Sequence, residues 1–263
     1  MSPALSRMLL AIDAGNTQTV VGLYRGADLL EPWRLSTNAE RTSDEHALLI
    51  RQLLDLQGAA LADLSGIVVS STVPRLTAAM REMAERYLDV PPVVVEPGTR
   101  TGMPILYENP KEVGPDRIAN AVAAFDIYGG PVIVVDFGTA TTVDATSARG
   151  EYLGGAILPG IEISLDALFA RAAALSRIKV VAPRRVIGKT TVESVQSGTL
   201  YGFGAAVDGL CRRFHDELGP ARVVSTGGLG ALMAPFSDCI ERHDPWLTLH
   251  GLRLIYERNT APA

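Results

Sequence analysis

The feature that most constrains this chain is a strand-turn pattern that occurs twice, almost half the sequence apart. An apolar run, a glycine-containing turn and a second β-forming run occupy residues 8–24, and residues 132–147 repeat the design. The repeat aligns Asp13 with Asp136, Gly15 with Gly138 and Thr19 with Thr142. A second matched pair, VVSST at 68–72 and VVSTG at 223–227, follows in the same order. Two matched pairs in one order predict a duplicated chain with related halves.

Helical patterns lie between these strands. Thr42 and Glu45 have the spacing of a capping box ahead of an apolar face, and Pro74 suits the first turn of a second helix. A longer apolar stripe runs from Leu200 to Leu218 at three- and four-residue steps. We interpret these stripes as core. Strands that alternate with helices predict two α/β domains with mixed sheets and a cleft between them.

Composition excludes several classes of function. The chain has 24 Lys and Arg residues against 29 Asp and Glu, and its formal charge of -5 gives no general attraction to nucleic acid or anionic lipid. The two cysteines lie outside metal-site and redox-motif spacings, which indicates a reducing compartment. No run approaches the ~20 apolar residues of a membrane span, and the run before Asp13 is too short for a signal peptide. We therefore expect a cytoplasmic protein that binds neither nucleic acid nor membranes.

The turn after the first strand has the composition of a phosphate-binding loop. Gly15 permits a tight turn with accessible backbone amides, and the hydroxyls of Thr17 and Thr19 can donate to phosphate oxygens. Asp13, at the strand end, could hold a hydrated divalent ion. The alternative is a hairpin turn whose polar residues satisfy only their own backbone. Recurrence of the turn at Asp136 favours phosphate binding.

Other segments do not meet the requirements of familiar sites. Residues 188–190 end like a Walker A loop, but Pro183 stands where that motif requires glycine. Residues 202–204 resemble the start of a dinucleotide fingerprint, but they lie within a helical pattern. The histidines form no pair at metal-ligand spacing. We expect all four at the surface: His46, His215, His243 and His250.

A third candidate site is the segment from Gly114 to Arg117, which precedes an alanine-rich helical pattern. Pro115 suits a first helical turn, which would place Asp116 near the positive end of the helix. One interpretation is a favourable helix-start charge with Arg117 as its ion-pair partner. The other is phosphoryl transfer, in which an aspartate orients an alcohol and accepts its proton.

Taken together, these segments resemble the type III pantothenate kinases of the acetate kinase, sugar kinase, Hsp70 and actin superfamily. The resemblance runs from about Met8 to Asn259. Five blocks carry it: DAGNTQTV at 13–20, TGMPILYENPKEVGPDR at 101–117, VVDFGTATT at 134–142, GEYLGGAILPGI at 150–161 and STGGL at 225–229. It implies two duplicated ribonuclease H-like (actin-like ATPase) domains, residues 1–117 and residues 118–263.

The resemblance also implies the roles of individual residues. The first phosphate loop would comprise Asp13, Ala14, Gly15, Asn16, Thr17, Gln18, Thr19 and Val20, with Asp13 near the magnesium of MgATP. Further ATP contacts would be Thr139, Gly227 and Gly228, the last two as the turn against which the adenosine lies. Asp136 would ligate a monovalent cation, potassium or ammonium. The pantothenate pocket would be lined by Tyr107, Gly114, Pro115, Asp116, Arg117 and Thr191, with Asp116 accepting the proton of the primary hydroxyl.

Members of this family form homodimers, and the resemblance implies a pantothenate pocket partly shared across the interface. The chain departs from the family pattern at four positions: Pro115 and Gly230, where Ala is usual, Glu162, where Gly is usual, and Thr190, where Asn is usual. Pro115 removes an amide hydrogen beside the implied base. The other three departures remove no residue with an implied chemical role.

The predicted function is ATP-dependent phosphorylation of pantothenate to 4′-phosphopantothenate, the first step of coenzyme A biosynthesis. The predicted mechanism is in-line attack of the hydroxyl on the γ-phosphate, with positioning as the main source of catalysis. Two other functions are compatible with the same sequence features. One is a nucleotide-binding regulatory or accessory protein of the same fold, and the other is a kinase of this fold that acts on a sugar or an acid.

Overall fold

Each half of the chain builds a five-stranded mixed sheet in the computed structural model, which describes residues 8–172 and 178–261. The first sheet contains β1 (Met8–Ala14), β2 (Gln18–Arg25), β3 (Asp28–Ser36), β4 (Leu64–Ser71) and β5 (Val93–Val94), in the order β3-β2-β1-β4-β5. The second contains β6 (Val132–Phe137), β7 (Ala140–Thr146), β8 (Tyr152–Pro159), β9 (Arg222–Thr226) and β10 (Arg242–His243), in the order β10-β9-β6-β7-β8.

The two sheets follow one plan. In the first, β1 pairs antiparallel with β2 and parallel with β4. In the second, β6 pairs antiparallel with β7 and parallel with β9. When β6 is matched to β1, and each later strand to its counterpart, the two strand orders are identical. The duplication predicted from the paired sequence patterns is therefore confirmed.

The helices and short 3₁₀ turns lie between the strands, except for the last helix, which follows the last strand. The helices are α1 (Ser43–Asp55), α2 (Pro74–Tyr87), α3 (Pro115–Tyr128), α4 (Ile161–Arg171), α5 (Thr191–Leu218), α6 (Gly230–Met233) and α7 (Leu247–Thr260), with 3₁₀ turns at Leu61–Asp63, Pro110–Glu112 and Ala234–Phe236. The predicted capping box opens α1: the Thr42 hydroxyl accepts from the amide of Glu45, whose carboxylate accepts from the amide of Thr42. Among the helices of the described ranges, none combines the length and apolarity that crossing a bilayer requires.

Each sheet packs its apolar side chains into its own core. In the first, Leu76, Met80 and Met83 of α2 are at most 2% exposed. In the second, Leu200 and Val207 of α5 are fully buried in a cluster with side chains of β6 and β7. Burying one such side chain contributes roughly 1.5–3 kcal/mol, so these faces account for much of the driving force for folding. The apolar stripes identified in the sequence are core, as predicted.

The chain forms two compact units, and α7 belongs to the first. The units are Met1–Ala123 with Trp246–Ala263, and Ala124–Pro245. The sequence-based division at residue 117 assigned the C-terminal segment to the second half. In the structure α7 packs against β1, β2 and β4. A Cβ at Gly66 of β4 would lie 1.9 Å from the hydroxyl oxygen of Tyr256 in α7, so glycine allows the helix to approach the sheet closely.

The strand pairing shows that the two turns differ in length, so the sequence alignment of Thr19 with Thr142 is off by one residue. Thr19 pairs with Ala14 across the first hairpin, whereas Phe137 pairs with Thr141 across the second. The second connection is one residue shorter, so Thr141 rather than Thr142 is the counterpart of Thr19. Both threonines are at most 5% exposed. An alignment without gaps could not show a one-residue difference in turn length.

The expectation of four surface histidines is wrong for His46, which is 4% exposed in α1. It lies one helical turn before Ile50, on the buried face of the helix. Burial lowers the pKa of His46 from 6.5 to about 4, and the positive charge of Arg41 acts in the same direction, while Glu45 opposes it. The other three histidines are partly exposed.

Stability is expected to fall as the pH drops from about 6.5 towards 4. In this window the unfolded chain protonates His46 while the folded chain keeps it neutral, so acid favours unfolding, by about 1–3 kcal/mol at the lower end. His46→Leu should remove this contribution. Urea unfolding of both proteins at several pH values between 4.5 and 7.5 would measure the difference. Equal pH slopes in wild type and His46→Leu would contradict the assignment.

Candidate active site

The first turn lies at the end of β1 and presents its polar residues to solvent. Asp13 is half-buried near the strand end and pairs with Val20 of β2. The amide of Gly15 donates to the carbonyl oxygen of Gln18 at 3.0 Å, which closes the turn. Asn16, Thr17 and Gln18 are exposed. A carboxylate beside an open, glycine-initiated turn is suited to phosphates and their divalent ion.

Two residues that the sequence analysis did not identify hold this turn. The Thr37 hydroxyl donates to the carbonyl oxygen of Gly15 at 2.7 Å, and its amide donates to the carbonyl oxygen of Thr17 at 3.0 Å. The hydroxyl oxygens of Thr37 and Thr19 are 2.8 Å apart. The guanidinium of Arg34 donates to the side-chain oxygen of Gln18 at 2.8 Å. Both residues lie far along the chain and reach the turn through β3, so no local motif marks them.

Arg34 also places a positive charge close to this turn. Its guanidinium lies 4.6 Å from the centre of the Trp246 ring, where cation–π attraction restrains it. Trp246 directly precedes α7, so the C-terminal segment of the first unit contributes to the placement of Arg34.

The second turn places Asp136 beside the glycine turn after β9. Gly138 and Thr139 are exposed, and Asp136 is half-buried. Gly227 has φ +90°, and a Cβ on it would lie 2.4 Å from Oδ1 of Asp136. The amide of Leu229 donates to the carbonyl oxygen of Phe137 at 3.3 Å. The structure thus brings together two of the predicted site residues of the second unit, Asp136 and Gly227.

The second turn also packs against the start of α4. A Cβ on Gly160, the N-cap residue of α4, would lie 2.0 Å from the carbonyl oxygen of Thr139. Only glycine fits this contact without displacing the turn. Gly160 is therefore a further residue that shapes the candidate site, and its signal in the sequence is its place in the PGI segment.

Asp116 lies at the second position of α3. Its Oδ1 accepts from the amide of Arg117 at 2.9 Å, and the amide of Ile118 donates to the carbonyl oxygen of Gly114 at 3.2 Å. Pro115 occupies the first helical position, where no helical hydrogen bond uses an amide hydrogen. Asp116 is half-buried, as is Tyr107 in the preceding segment, whereas Arg117 is buried. The carboxylate is thus oriented by backbone at the positive end of a helix.

Thr191 lies in the second unit, at the first position of α5. It is exposed and lines a cavity of about 410 Å³ between α4 and α5, together with Ser164, Leu168 and Phe203. Thr190 is the N-cap of α5, and its hydroxyl accepts from the amide of Glu193 at 3.1 Å. Since Thr and Asn are both N-cap formers, the departure at Thr190 preserves the local structure.

The departure at Gly230 has a steric explanation. A Cβ on Gly230 would lie 2.4 Å from Cε1 of His243, whose Nδ1 is 3.1 Å from the Ser225 hydroxyl oxygen. The imidazole of His243 therefore occupies the space that an alanine methyl group would need. The start of α6 and the end of β9 are held together through this histidine.

No cluster of three or more His, Cys, Asp or Glu side chains suited to a metal occurs within residues 8–172 and 178–261. A nucleotide-bound magnesium ion needs no such cluster, because one or two carboxylates complete the coordination that phosphates and water supply. The half-buried carboxylate of Asp13 fits that requirement. At Asp136, the bare backbone of Gly227 leaves open the space beside Oδ1 that a side chain would fill.

Comparison with known sequences identifies close relatives. The family model described as type III pantothenate kinase matches residues 9–213. The type III pantothenate kinase of Moorella thermoacetica is 54% identical over 254 residues, which cover 96% of this chain and 100% of the relative. That of Streptomyces avermitilis is 55% identical over 261 residues, which cover 96% and 98%. The similarity therefore extends over nearly the full length of both relatives.

Solved structures with lower identity share the fold. A putative Baf family transcriptional activator from Campylobacter jejuni has a TM-score of 0.60 at 22% identity, covering 95% of this chain and 98% of that one. An activator of 2-hydroxyisocaproyl-CoA dehydratase from Clostridium difficile, with bound ADPNP, has a TM-score of 0.57 at 12% identity, covering 94% of this chain and 93% of that one. An inorganic polyphosphate/ATP-glucomannokinase from Arthrobacter has a TM-score of 0.51 at 13% identity, covering 96% of this chain and 98% of that one. These likenesses confirm the fold class.

Proposed function

Because this chain belongs to the type III pantothenate kinase family, we propose that its two strand-end turns bind ATP and that Asp116 accepts the proton of the pantothenate hydroxyl. The protein is a kinase that phosphorylates pantothenate in coenzyme A biosynthesis. Relatives that are more than half identical are named as kinases, which supports this activity over a regulatory role. The likeness to a putative transcriptional activator is one of fold alone.

The observation that carries the role of Asp116 is its position at the start of α3. The amide of Arg117 fixes one carboxylate oxygen, and the side chain is only half-buried. A fixed carboxylate can orient a primary hydroxyl and take its proton as the oxygen attacks the γ-phosphate. Tyr107, Gly114, Pro115 and Arg117 are proposed to bind the rest of pantothenate, with Thr191 as a further contact.

The nucleotide is proposed to contact both turns. In the first unit, the exposed residues Asn16 to Gln18 and the turn amides face the phosphates, and the remaining loop residues from Asp13 to Val20 shape that surface. In the second unit, Thr139 contacts the phosphates, and Gly227 and Gly228 provide backbone for the adenosine. These groups act by positioning the reactants rather than by covalent chemistry.

Two cations are proposed to bind with the nucleotide. Asp13 would hold Mg²⁺ through one carboxylate, and Asp136 would hold a monovalent cation, K⁺ or NH₄⁺, beside Gly227. When bound, these ions offset the negative charge of the phosphates.

A homodimer is proposed, with the second unit providing the interface. Much of the exposed apolar surface of the described chain falls between β8 and the start of α5: Leu153, Ile157, Ile163, Leu168, Val181, Val186, Ile187 and Val192 are each at least 38% exposed. β8 is also an edge strand of its sheet. Apolar side chains concentrated beside an unpaired strand edge favour association with another chain. Thr191, beside Val192 at the start of α5, lies within this apolar stretch, which supports a substrate pocket that is shared across the interface.

The cytoplasm is the proposed location. Cys211 and Cys239 are both free thiols, as in proteins of reducing compartments.

The activity is tested by measuring ADP release with MgATP and pantothenate in potassium, ammonium and sodium buffers. We expect pantothenate-dependent turnover in potassium and ammonium, and at least about tenfold less in sodium. Asp136→Asn should remove most of this difference, because the amide keeps the shape of the carboxylate but not its charge. The matched control is Asp216→Asn, on the exposed surface of α5. Equal turnover in all three buffers would overturn the cation site.

The same assay separates the alternatives. Nucleotide binding without turnover in any buffer would favour the regulatory role. Turnover with a sugar or a carboxylic acid, and none with pantothenate, would favour the other kinase.

A further inference from the structure

Cys211 and Cys239 form a close pair of thiols in the second unit. Cys211, in α5, is fully buried, whereas Cys239, ahead of β10, is partly exposed and packs against the same apolar cluster. A hydrogen bond joins the two side chains. Both cysteines are free thiols. None of the proposed contacts with ATP or pantothenate uses either residue, so this pair has no part in the proposed kinase reaction.

One face of α5 carries both the buried thiol and the contacts that support the pair. Gly204, Asp208 and Cys211 follow one another at steps of four and three residues, so they lie along one face of the helix. The segment 236–239 lies against this face. A Cβ on Gly204 would come 1.9 Å from the carbonyl oxygen of Phe236, the first residue of the segment. This close backbone contact fixes the start of the segment.

Asp208 holds the remainder of the same segment. Its carboxylate accepts from the Ser237 hydroxyl at 2.6 Å, and from the amides of Asp238 and Cys239 at 3.1 Å each. The Ser237 hydroxyl oxygen also lies 3.4 Å from the sulfur of Cys239. Three hydrogen bonds to one buried carboxylate therefore keep Cys239 beside Cys211, which lies about one helical turn after Asp208.

The two thiols differ in reactivity. The hydrogen bond from Cys211 lowers the pKa of Cys239; burial opposes this decrease, and the nearby Ser237 hydroxyl adds to it. The same thiol–thiol hydrogen bond, followed by burial, raises the pKa of Cys211. The thiolate is the form that attacks a disulfide. Cys239 is also the more accessible of the two, so it has the properties of the attacking thiol and Cys211 those of the resolving thiol.

We infer that Cys239 and Cys211 form an oxidative modification site, at which a low-molecular-weight disulfide converts the thiol pair into an intramolecular disulfide. In the first step, the Cys239 thiolate attacks one sulfur of the small disulfide, whose S–S bond breaks, and the released thiolate takes up a proton. In the second step, Cys211 attacks the sulfur of Cys239, and its proton leaves with the second small thiol. The two protein thiols are oxidised, and the small disulfide is reduced to two thiols.

The first step makes the second one easier. When Cys239 is held in a mixed disulfide, it is no longer the thiolate that accepts the hydrogen bond from Cys211. The largest cause that raises the pKa of Cys211 is then removed. A disulfide of this kind is transient in a reducing compartment, which agrees with the proposed cytoplasmic location. The inference goes beyond the proposed kinase function and does not rest on it.

The test treats the reduced full-length protein with glutathione disulfide, alkylates the remaining thiols in denaturant, and measures the intact mass and the non-reduced proteolytic peptides. We expect wild type to lose both free thiols without retaining glutathione, with the peptides of Cys211 and Cys239 linked, and a thiol reductant to restore both. Cys211→Ser should stop at a stable glutathione adduct on Cys239. In Cys239→Ser, Cys211 should react at least about tenfold more slowly, because its thiol is buried.

The wild-type protein decides the matter even if a variant does not fold, which thermal unfolding under reducing conditions would show. A lasting glutathione adduct on Cys239 of wild type, with Cys211 still open to alkylation, would mean that the two sulfurs do not meet and would overturn the inference. A disulfide between two chains, or no loss of thiols, would overturn it as well. Because turnover is not part of the readout, failure of the proposed kinase function would leave these results unchanged.

Discussion

Replacing Asp116 by asparagine is expected to lower pantothenate-dependent turnover by a factor of about 10² to 10⁴. Asparagine has the same shape, and its side-chain oxygen can still accept from the amide of Arg117, 2.9 Å away in the native protein. It cannot accept the proton of the attacking hydroxyl. The loss should therefore appear mainly in kcat, while nucleotide affinity and thermal stability stay close to those of wild type.

The control for this variant is Asp126→Asn, in the same helix. Asp126 lies at an exposed position of α3, ten residues after the proposed base. Replacing it by asparagine makes the same chemical change away from the proposed site. Steady-state rates, nucleotide binding and thermal unfolding of both variants would separate the roles. Wild-type turnover in Asp116→Asn would reject the base assignment. A fall in melting temperature without loss of kcat would indicate that Asp116 serves only as a favourable charge at the helix start.

The duplicated fold could be predicted because its signals are local. The turns at Asp13 and Asp136 and the capping box at Thr42 each lie within a few residues of sequence, and backbone requirements act on that scale. Once the two halves were matched, the strand orders followed one plan. The resemblance to a known family extended this prediction to the named fold class, which pattern alone could not supply.

Features that depend on distant contacts were not visible in the sequence. α7 has the apolar pattern of any packed helix, and only its contact with Gly66 and the rest of the first sheet assigns it to the first unit. The side chain of His46 is polar, yet it is buried because it lies on the face of α1 that packs into the core. Sequence spacing predicts which residues share a helix face, but not how deeply that face is buried.

In the candidate site, too, residues in local motifs could be predicted and residues that act through distant contacts could not. The motif residues Asp13, Asp136 and Gly227 were identified in advance, and the structure places the last two in contact. Thr37 and Gly160 were not identified, because each supports a turn from another part of the chain. Such supporting residues have no chemical signature of their own. Their role follows from a short distance to a backbone atom, which only the fold creates.

The second large effect is expected at Gly227, where alanine should weaken nucleotide binding by at least about tenfold. The residue has φ +90°, a conformation that costs an L-residue about 1–2 kcal/mol. Its Cβ would also lie 2.4 Å from Oδ1 of Asp136 and 2.7 Å from backbone atoms of Phe137. The turn must shift to relieve these contacts, and the shift displaces both the proposed adenosine contact and the proposed cation ligand.

Two readouts should therefore change together in Gly227→Ala: nucleotide affinity and the dependence of turnover on potassium. Gly202→Ala is the matched control, because a Cβ at this exposed position of α5 meets no atom within 4 Å and should leave both unchanged. Calorimetry with MgATP and rates in potassium and sodium would measure the effects. Weakened binding with normal potassium activation would separate the glycine turn from Asp136, whereas joint loss would show that one contact at the end of β6 organises both the nucleotide and the cation.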